Sequence, residues 1–261
     1  MAEYYQVHYG NQYNVVYGNY YPPAGGGPTF TSDATSGKPV PQNSTEWSSF
    51  LSSIGSAIPV PGHLWLMQET SGTLADSIGA SALTVSNSAY NKSISGWSRK
   101  AMGGSGAIVG TLRNLAMADT ALNSFLVFMF ARYDTSASAL RAILQYGSPT
   151  VQTPAVTQKV RLREGANLLD STNAHDATIH PFLLAYNQTN STMKMYTDLE
   201  KLSVTFSASV GNFLTFTTSA AADTSSSDFI YAACWEGGIS ETTDAEAKKL
   251  ITGFGFTPPW S

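Results

Sequence analysis

Phe125-Leu126-Val127-Phe128-Met129-Phe130-Ala131-Arg132-Tyr133 is apolar on both faces of an extended chain. Side chains alternate along a strand, so Leu126, Phe128 and Phe130 face one way and Phe125, Val127, Met129 and Ala131 the other. Such a strand is buried on both sides and belongs in the middle of a sheet covered above and below.

The segments on either side fit that sheet. Leu64-Trp65-Leu66-Met67 reads as a short strand, with turns at Ser71-Gly72 and Asp76-Ser77-Ile78-Gly79. Further apolar or alternating runs follow at 140–146, 160–163, 181–186, 192–197, 204–207, 212–217 and 229–235. Many short strands separated by turn residues predict a β-sandwich. A single late helix is expected over 243–250, where Asp244 and Glu246 precede Lys248 and Lys249, as the helix dipole prefers.

Upstream, the spacing of Trp47, Phe50, Leu51 and Ile54 predicts a short helix within 45–58, capped by Ser44 or Thr45 and stopped near Gly55. A helix this short does not stand alone and must pack on the next domain or on a neighbour. Residues 22–44, rich in Pro and Gly, read as a linker.

Residues 1–21 read as an arm. Tyr5, Tyr9, Tyr13, Tyr17 and Tyr21 recur every fourth position within an eight-residue echo, and all fall on one edge of an extended chain. Fully extended, this stripe spans about 55 Å at roughly 3.4 Å per residue. It suits strand addition to a partner's sheet, with the tyrosines filling pockets. The five tyrosines are therefore the candidate partner-binding residues, and a homo-oligomer is expected.

Composition narrows the function. Only 12% of residues are charged, so the polar surface must be mostly Ser, Thr, Asn and Gln. A net charge of -4 argues against a nucleic-acid partner, because nothing would neutralise a row of phosphates. The lone Cys234 excludes a disulfide framework and sits in an apolar run. No apolar run approaches the roughly 20 residues that cross a bilayer, and residues 1–5 carry no export signal. Assembly in a cytoplasm is the expectation.

Catalytic patterns are weak. Retaining glycosidases need carboxylates about 5–5.5 Å apart, and no strand carries such a pair. Asp198 and Glu200 alternate at a hairpin end, where solvated turn acids are expected. His8, His63, His175 and His180 are scattered, and His180 starts a strand, where a capping or packing role is expected. Cys234 has no basic neighbour, and Gly25-Gly26-Gly27 lacks the strand and helix of a phosphate loop. No enzyme is expected. Trp97, in the loop Ser95-Gly96-Trp97-Ser98-Arg99, is the best aromatic platform for a sugar, with packing at the sandwich edge as its alternative role.

Taken in order, these segments resemble the laminin-G, concanavalin-A-like jelly roll. His63–Ser77 is similar to its first strand with "E-x-S-G-T" and "D-S" turns; Lys100–Val109 to the following strand and Gly turn; 180–187 with 193–200 to its central hairpin; and 229–246 to its closing strand and helix. Asp198-Leu199 departs from the family's usual "D-G" turn. The likeness covers 62–252, leaving 253–261 as a tail, and implies an all-β antiparallel sandwich with the N-terminal arm and one short helix at each end. It allows calcium held by turn oxygens, with Asp76, Asp119, Asp170 and Asp176 in candidate loops. Otherwise no cofactor is expected.

The "L-W-L-x-Q-E-x-S-G" opening after a short helix also resembles domains of tailed-phage structural proteins. That resemblance implies a virion-surface protein, as capsid decoration or a head or tail fibre. Its arm would bind major capsid or tail proteins, and its sandwich would face host glycans. A carbohydrate-binding adhesion module and a glycoside hydrolase are the alternatives.

Overall fold

A computed structural model describes residues 29–86, 89–103, 111–113, 124–133, 141–147, 150–153, 159–164, 167–187, 192–205, 210–217, 227–236 and 243–261. The expected tyrosine arm lies outside them. The described residues form an antiparallel β-sandwich with one helix near each end.

The first sheet runs β13 (Lys201–Thr205), β12 (Thr192–Thr197), β11 (His180–Asn187), β6 (Ser124–Tyr133), β15 (Ser227–Glu236), β4 (Lys100–Gly103), β3 (Ala89–Ser93). A further strand, β1 (His63–Trp65), pairs with β15 beside β4. The second sheet runs β10 (Asn167–Asp170), β9 (Arg161–Glu164), β8 (Thr150–Thr153), β7 (Arg141–Gly147), β14 (Val210–Thr217), β5 (Thr111–Arg113), β2 (Thr84–Ser86).

β6 occupies the middle of the first sheet, with Phe128 opposite Leu183 on one side and Ala233 on the other. Its alternation divides two cores. Phe125, Val127, Met129 and Ala131 join Trp65, Met102, Phe182 and Cys234 between the sheets. Leu126, Phe128 and Phe130 face outward into a second apolar layer with Trp47, Phe50, Leu250 and Phe254. A β-bulge between Phe229 and Tyr231 lets two consecutive residues, Ile230 and Tyr231, serve that outer layer.

Helices α1 (Ser44–Ser53) and α2 (Asp244–Gly253) supply the cover. The cap of α1 lies one residue before Ser44, at Asn43, whose carboxamide oxygen accepts the Glu46 amide at 3.0 Å. Asn is as good a cap as Ser, and here it alone reaches that amide. Trp47, Phe50 and Leu51 are buried, and Phe254 stacks on Phe128 and packs at a tilt on Phe50, with ring centroids 4.4 Å apart in each pair. The chain's own sandwich, not a neighbour, therefore receives the early helix. Thr243 caps α2 in the same way, and the helix runs on to Gly253 because Leu250 and Ile251 keep its apolar stripe on the sheet.

Residues 29–43, within the expected linker, form a strap fixed across this layer. Glu46 accepts the Thr31 and Gln42 amides at 2.8 and 3.1 Å. Val40 is fully buried, and the Pro41 carbonyl accepts the Tyr231 hydroxyl at 2.6 Å. The C-terminal tail is tied down as well: the Trp260 indole donates to the Thr197 carbonyl at 2.8 Å.

Candidate functional site

Trp97 stands on the tight turn between β3 and β4. Gly96 takes a left-handed φ of +79°, which favours glycine, and the Trp97 amide closes the turn on the Ile94 carbonyl at 3.2 Å. The strap pins this turn from outside. Asp33 accepts the Ser98 hydroxyl at 2.6 Å, the Ser98 amide at 3.1 Å and the Arg99 amide at 2.8 Å. Gln68 grips the other end, donating to the Lys100 carbonyl at 2.7 Å. The Arg99 guanidinium donates to the Leu66 carbonyl at 3.1 Å.

The Trp97 ring lies over Phe130, with centroids 5.3 Å apart and planes at 51°. It is half-buried: the ring packs on the sheet, as its alternative role has it, and part of it remains exposed. Phe256 packs on the same Phe130 at 5.8 Å and carries the Lys38 ammonium 3.6 Å from its ring centre.

Next along the outward face of β6 comes Arg132, two residues beyond Phe130 and so about 7 Å away along the strand. Asp228, on the neighbouring β15, is fully buried and accepts Arg132 Nε and Lys92 Nζ at 2.7 Å each. Its carboxylate occupies space left by Gly103, directly opposite on β4; a Cβ there would lie 1.8 Å from Asp228 Oδ1. Sequence reasoning did not select this trio. Arg132 is the one charge in the run Phe125–Tyr133, and that was the available signal.

The remaining acids and histidines are occupied in holding loops. Asp76 accepts the His63 ring at 2.6 Å and the amides of Leu64, Ile78, Gly79 and Ser81. Burial alone would raise its pKa, but these donors bring it down to about 2. Asp170 pairs with Arg161 across the β9–β10 hairpin, and Asp176 accepts the Thr178 amide and hydroxyl. Asp119 lies outside the described residues. Among the described residues, no group of three or more His, Cys, Asp or Glu is arranged to hold a metal ion.

Asp198 and Glu200 do not face each other as a pair. Glu200 accepts the Thr172 and Asn173 amides at 2.8 and 2.9 Å. Asp198 instead accepts His180 Nδ1 at 2.9 Å, while Asp176 meets His180 Nε2 at 3.1 Å. Burial would depress the His180 pKa, yet the two carboxylates raise it. His175, with its ring 5.1 Å from that of His180, is driven down to about 4 by burial and by His180's charge. The structure thus joins two histidines that are apart in sequence. They tie the 171–179 loop to the β12–β13 turn, with the Thr197 hydroxyl 3.4 Å from His175 Nε2 and the Thr178 hydroxyl 3.4 Å from His180 Nε2.

No protein-family model matches the chain, and a comparison with curated proteins finds no match. Solved structures do match. Trypanosoma rangeli sialidase in complex with sialic acid superposes with a TM-score of 0.54 at 10% identity, covering 74% of this chain and 32% of that one. The same enzyme with the inhibitor DANA gives 0.57 at 10% identity, over 75% and 33%. The botulinum neurotoxin serotype D/C binding domain gives 0.51 at 10% identity, over 74% and 52%. The chain spans about a third of the sialidase's length. At these identities the likeness is one of fold alone, a β-sandwich.

Proposed function

We propose that this chain is a non-enzymatic display protein whose sandwich binds carbohydrate through the face around Trp97. The observation that carries the reading is the way Trp97 is held. Its turn is fixed by Asp33 and Gln68, its ring rests on Phe130, and part of that ring remains exposed. An aromatic ring held rigidly beside polar groups suits a sugar, whose apolar ring face stacks while its hydroxyls bond nearby. The fold shared with a toxin binding domain and a sialidase supports a sugar-binding role. The engagement of Asp198 and Glu200 in separate loop contacts supports a role without hydrolysis.

The setting is a tailed-phage virion, as capsid decoration or a head or tail fibre. The arm carrying Tyr5, Tyr9, Tyr13, Tyr17 and Tyr21 tethers the sandwich to capsid or tail proteins or to sister copies. This setting rests on the tyrosine repeat and on the phage-like order of segments from residue 45 onward.

A glycan array followed by calorimetry tests the sugar reading. Wild-type protein should bind at least one glycan class. Trp97→Ala should lose that binding by about tenfold or more, taking stacking as worth upwards of 1.4 kcal/mol. Trp97→Phe, which keeps the contact with Phe130, should retain part of it. Full binding by Trp97→Ala sinks the proposal.

A further inference from the structure

His180 meets a carboxylate at each of its ring nitrogens. Asp198, in the turn after β12, lies 2.9 Å from Nδ1, and Asp176, in the loop before β11, lies 3.1 Å from Nε2. A neutral imidazole carries one N–H and can donate to only one of them. The Thr178 hydroxyl, 3.4 Å from Nε2, does not change this, because its proton goes to the same Asp176 oxygen. An ionised carboxylate only accepts, so both ring nitrogens need a proton. The geometry is that of an imidazolium bridging two loops.

The other charged groups around the ring are accounted for. The His175 ring stands 5.1 Å away at 80°, and burial keeps it neutral down to about pH 4. Glu200, in the same turn as Asp198, takes the Thr172 and Asn173 amides. Lys38, on the strap, feels the charge of Asp198 and donates to the Gly255 carbonyl at 2.7 Å. On β6, His180 lies opposite Ala131, and the next residue, Arg132, is bound to Asp228. Burial pulls the His180 pKa down, but Asp198 and Asp176 together raise it.

The two carboxylates are unequal. The Asp176 side chain is 69% exposed and that of Asp198 16%. When the ring loses its proton to water it can keep one partner, and the one that water solvates more readily is Asp176. The ends of the loop are held separately: Ser171 Oγ accepts the Val160 amide at 2.9 Å, and Glu200 grips residues 172 and 173. Its middle covers the core. His175 is fully buried, stacked 5.8 Å from Phe182, which lies between the sheets.

We propose that His180 is a proton-operated latch on the 171–179 loop: as imidazolium it bridges Asp198 and Asp176 and holds the loop shut, and as neutral imidazole it keeps Asp198, frees Asp176 and lets the middle of the loop lift from Phe182. The closed loop holds the proton more tightly than the open one. Closure is therefore complete on the acid side, and opening sets in as pH rises through the raised pKa of the ring. The opening is local and leaves the sheets intact.

The test uses full-length protein above pH 6, where His175 stays neutral. Nitrogen-15 spectra of the histidine rings should show His180 with both nitrogens protonated at pH 7, where an ordinary histidine is mostly neutral; His180→Gln assigns the signals. Hydrogen exchange over residues 172–179, corrected for the intrinsic effect of pH, should speed up severalfold from pH 6 to pH 9, while residues 124–133 keep their protection. Asp176→Asn discriminates between a latch and a merely structural contact. Its carboxamide can donate to a neutral ring or accept from a charged one, so the loop should stay shut at pH 9 and lose its pH response. Asp176 is exposed, so this variant should fold. A neutral His180 ring at pH 7, loop exchange that ignores pH, or a pH response that persists in Asp176→Asn overturns the latch.

Discussion

The carboxylate of Asp33 accepts the hydroxyl of Ser98 at 2.6 Å, joining the N-terminal strap to the turn that carries Trp97. The same carboxylate also takes the amides of Thr35, Ser36, Ser98 and Arg99. Asp33→Ala should leave these donors without an acceptor and cost about 3 kcal/mol of stability, read as a lower denaturant midpoint. Burial would raise the Asp33 pKa, but the donors from Ser36, Ser98 and Arg99 outweigh it and hold the group well below the usual carboxylate range. Its contribution is therefore complete above the ordinary Asp pKa and declines only in strong acid. Sugar binding by Asp33→Ala should fall along with stability, since the turn loses its anchor. Unchanged binding would show that the turn holds its shape unaided.

His175 and His180 should give stability opposite slopes with pH. His175 is lowered to about 4, so between about 4 and 6.5 the unfolded chain binds the proton and the folded one does not. Stability should fall as pH drops through that window. His180 is raised, so its contribution is complete below 6.5 and is lost as pH rises through its folded value. Denaturant midpoints measured from pH 4 to 9 should peak between the two limbs. His175→Gln should flatten the acid limb and His180→Gln the alkaline one. A pH-independent midpoint in the wild type would refute this assignment.

Trp47 sits among Phe50, Tyr231, Trp235 and Phe254, with ring centroids 5.4 to 6.4 Å away. Trp47→Ala should cost about 3–5 kcal/mol, as expected for an aromatic deletion in a packed core. Limited proteolysis of the wild type should leave residues 29–58 attached to the body. Early release of a fragment beginning at 45–62 would mean that the strap contributes little.

Deletion of residues 1–21 should leave the melting temperature of the sandwich unchanged and abolish incorporation into the particle. Co-expression with candidate capsid and tail proteins, followed by particle purification, measures this directly. Normal occupancy by the truncated chain would place the tether elsewhere.

The fold was legible where one residue's burial is set by its own strand. Phe125–Ala131 alternate without exception, so the sequence alone assigned each side chain to one of two cores, and the structure keeps that division. The short strands Thr84–Ser86, Thr111–Arg113 and Asn167–Asp170 gave no such signal. Three or four residues cannot establish a period, and these strands depend on neighbours brought from far along the chain. Trp97 was readable because an aromatic residue in a Ser/Gly loop is conspicuous. The Lys92–Asp228–Arg132 trio was not, because its members lie up to 136 residues apart and meet only through the order β3-β4-β15-β6. Asp228 in particular stands just before the apolar run 229–235, and nothing in its sequence neighbours marks it as buried.

Gly103 gives the trio a genetic signature. Most positions in a sheet tolerate alanine in place of glycine, and many gain by it. At 103 the added methyl would compete for the volume that Asp228's carboxylate fills. The substitution would thus act on charge placement before it acted on packing, pushing Asp228 aside and releasing Arg132 and Lys92 from their common anchor. Lineages that keep Asp228 should therefore keep glycine at 103. Those that lose Asp228 are free to replace it, so the two positions should drift together across related sequences.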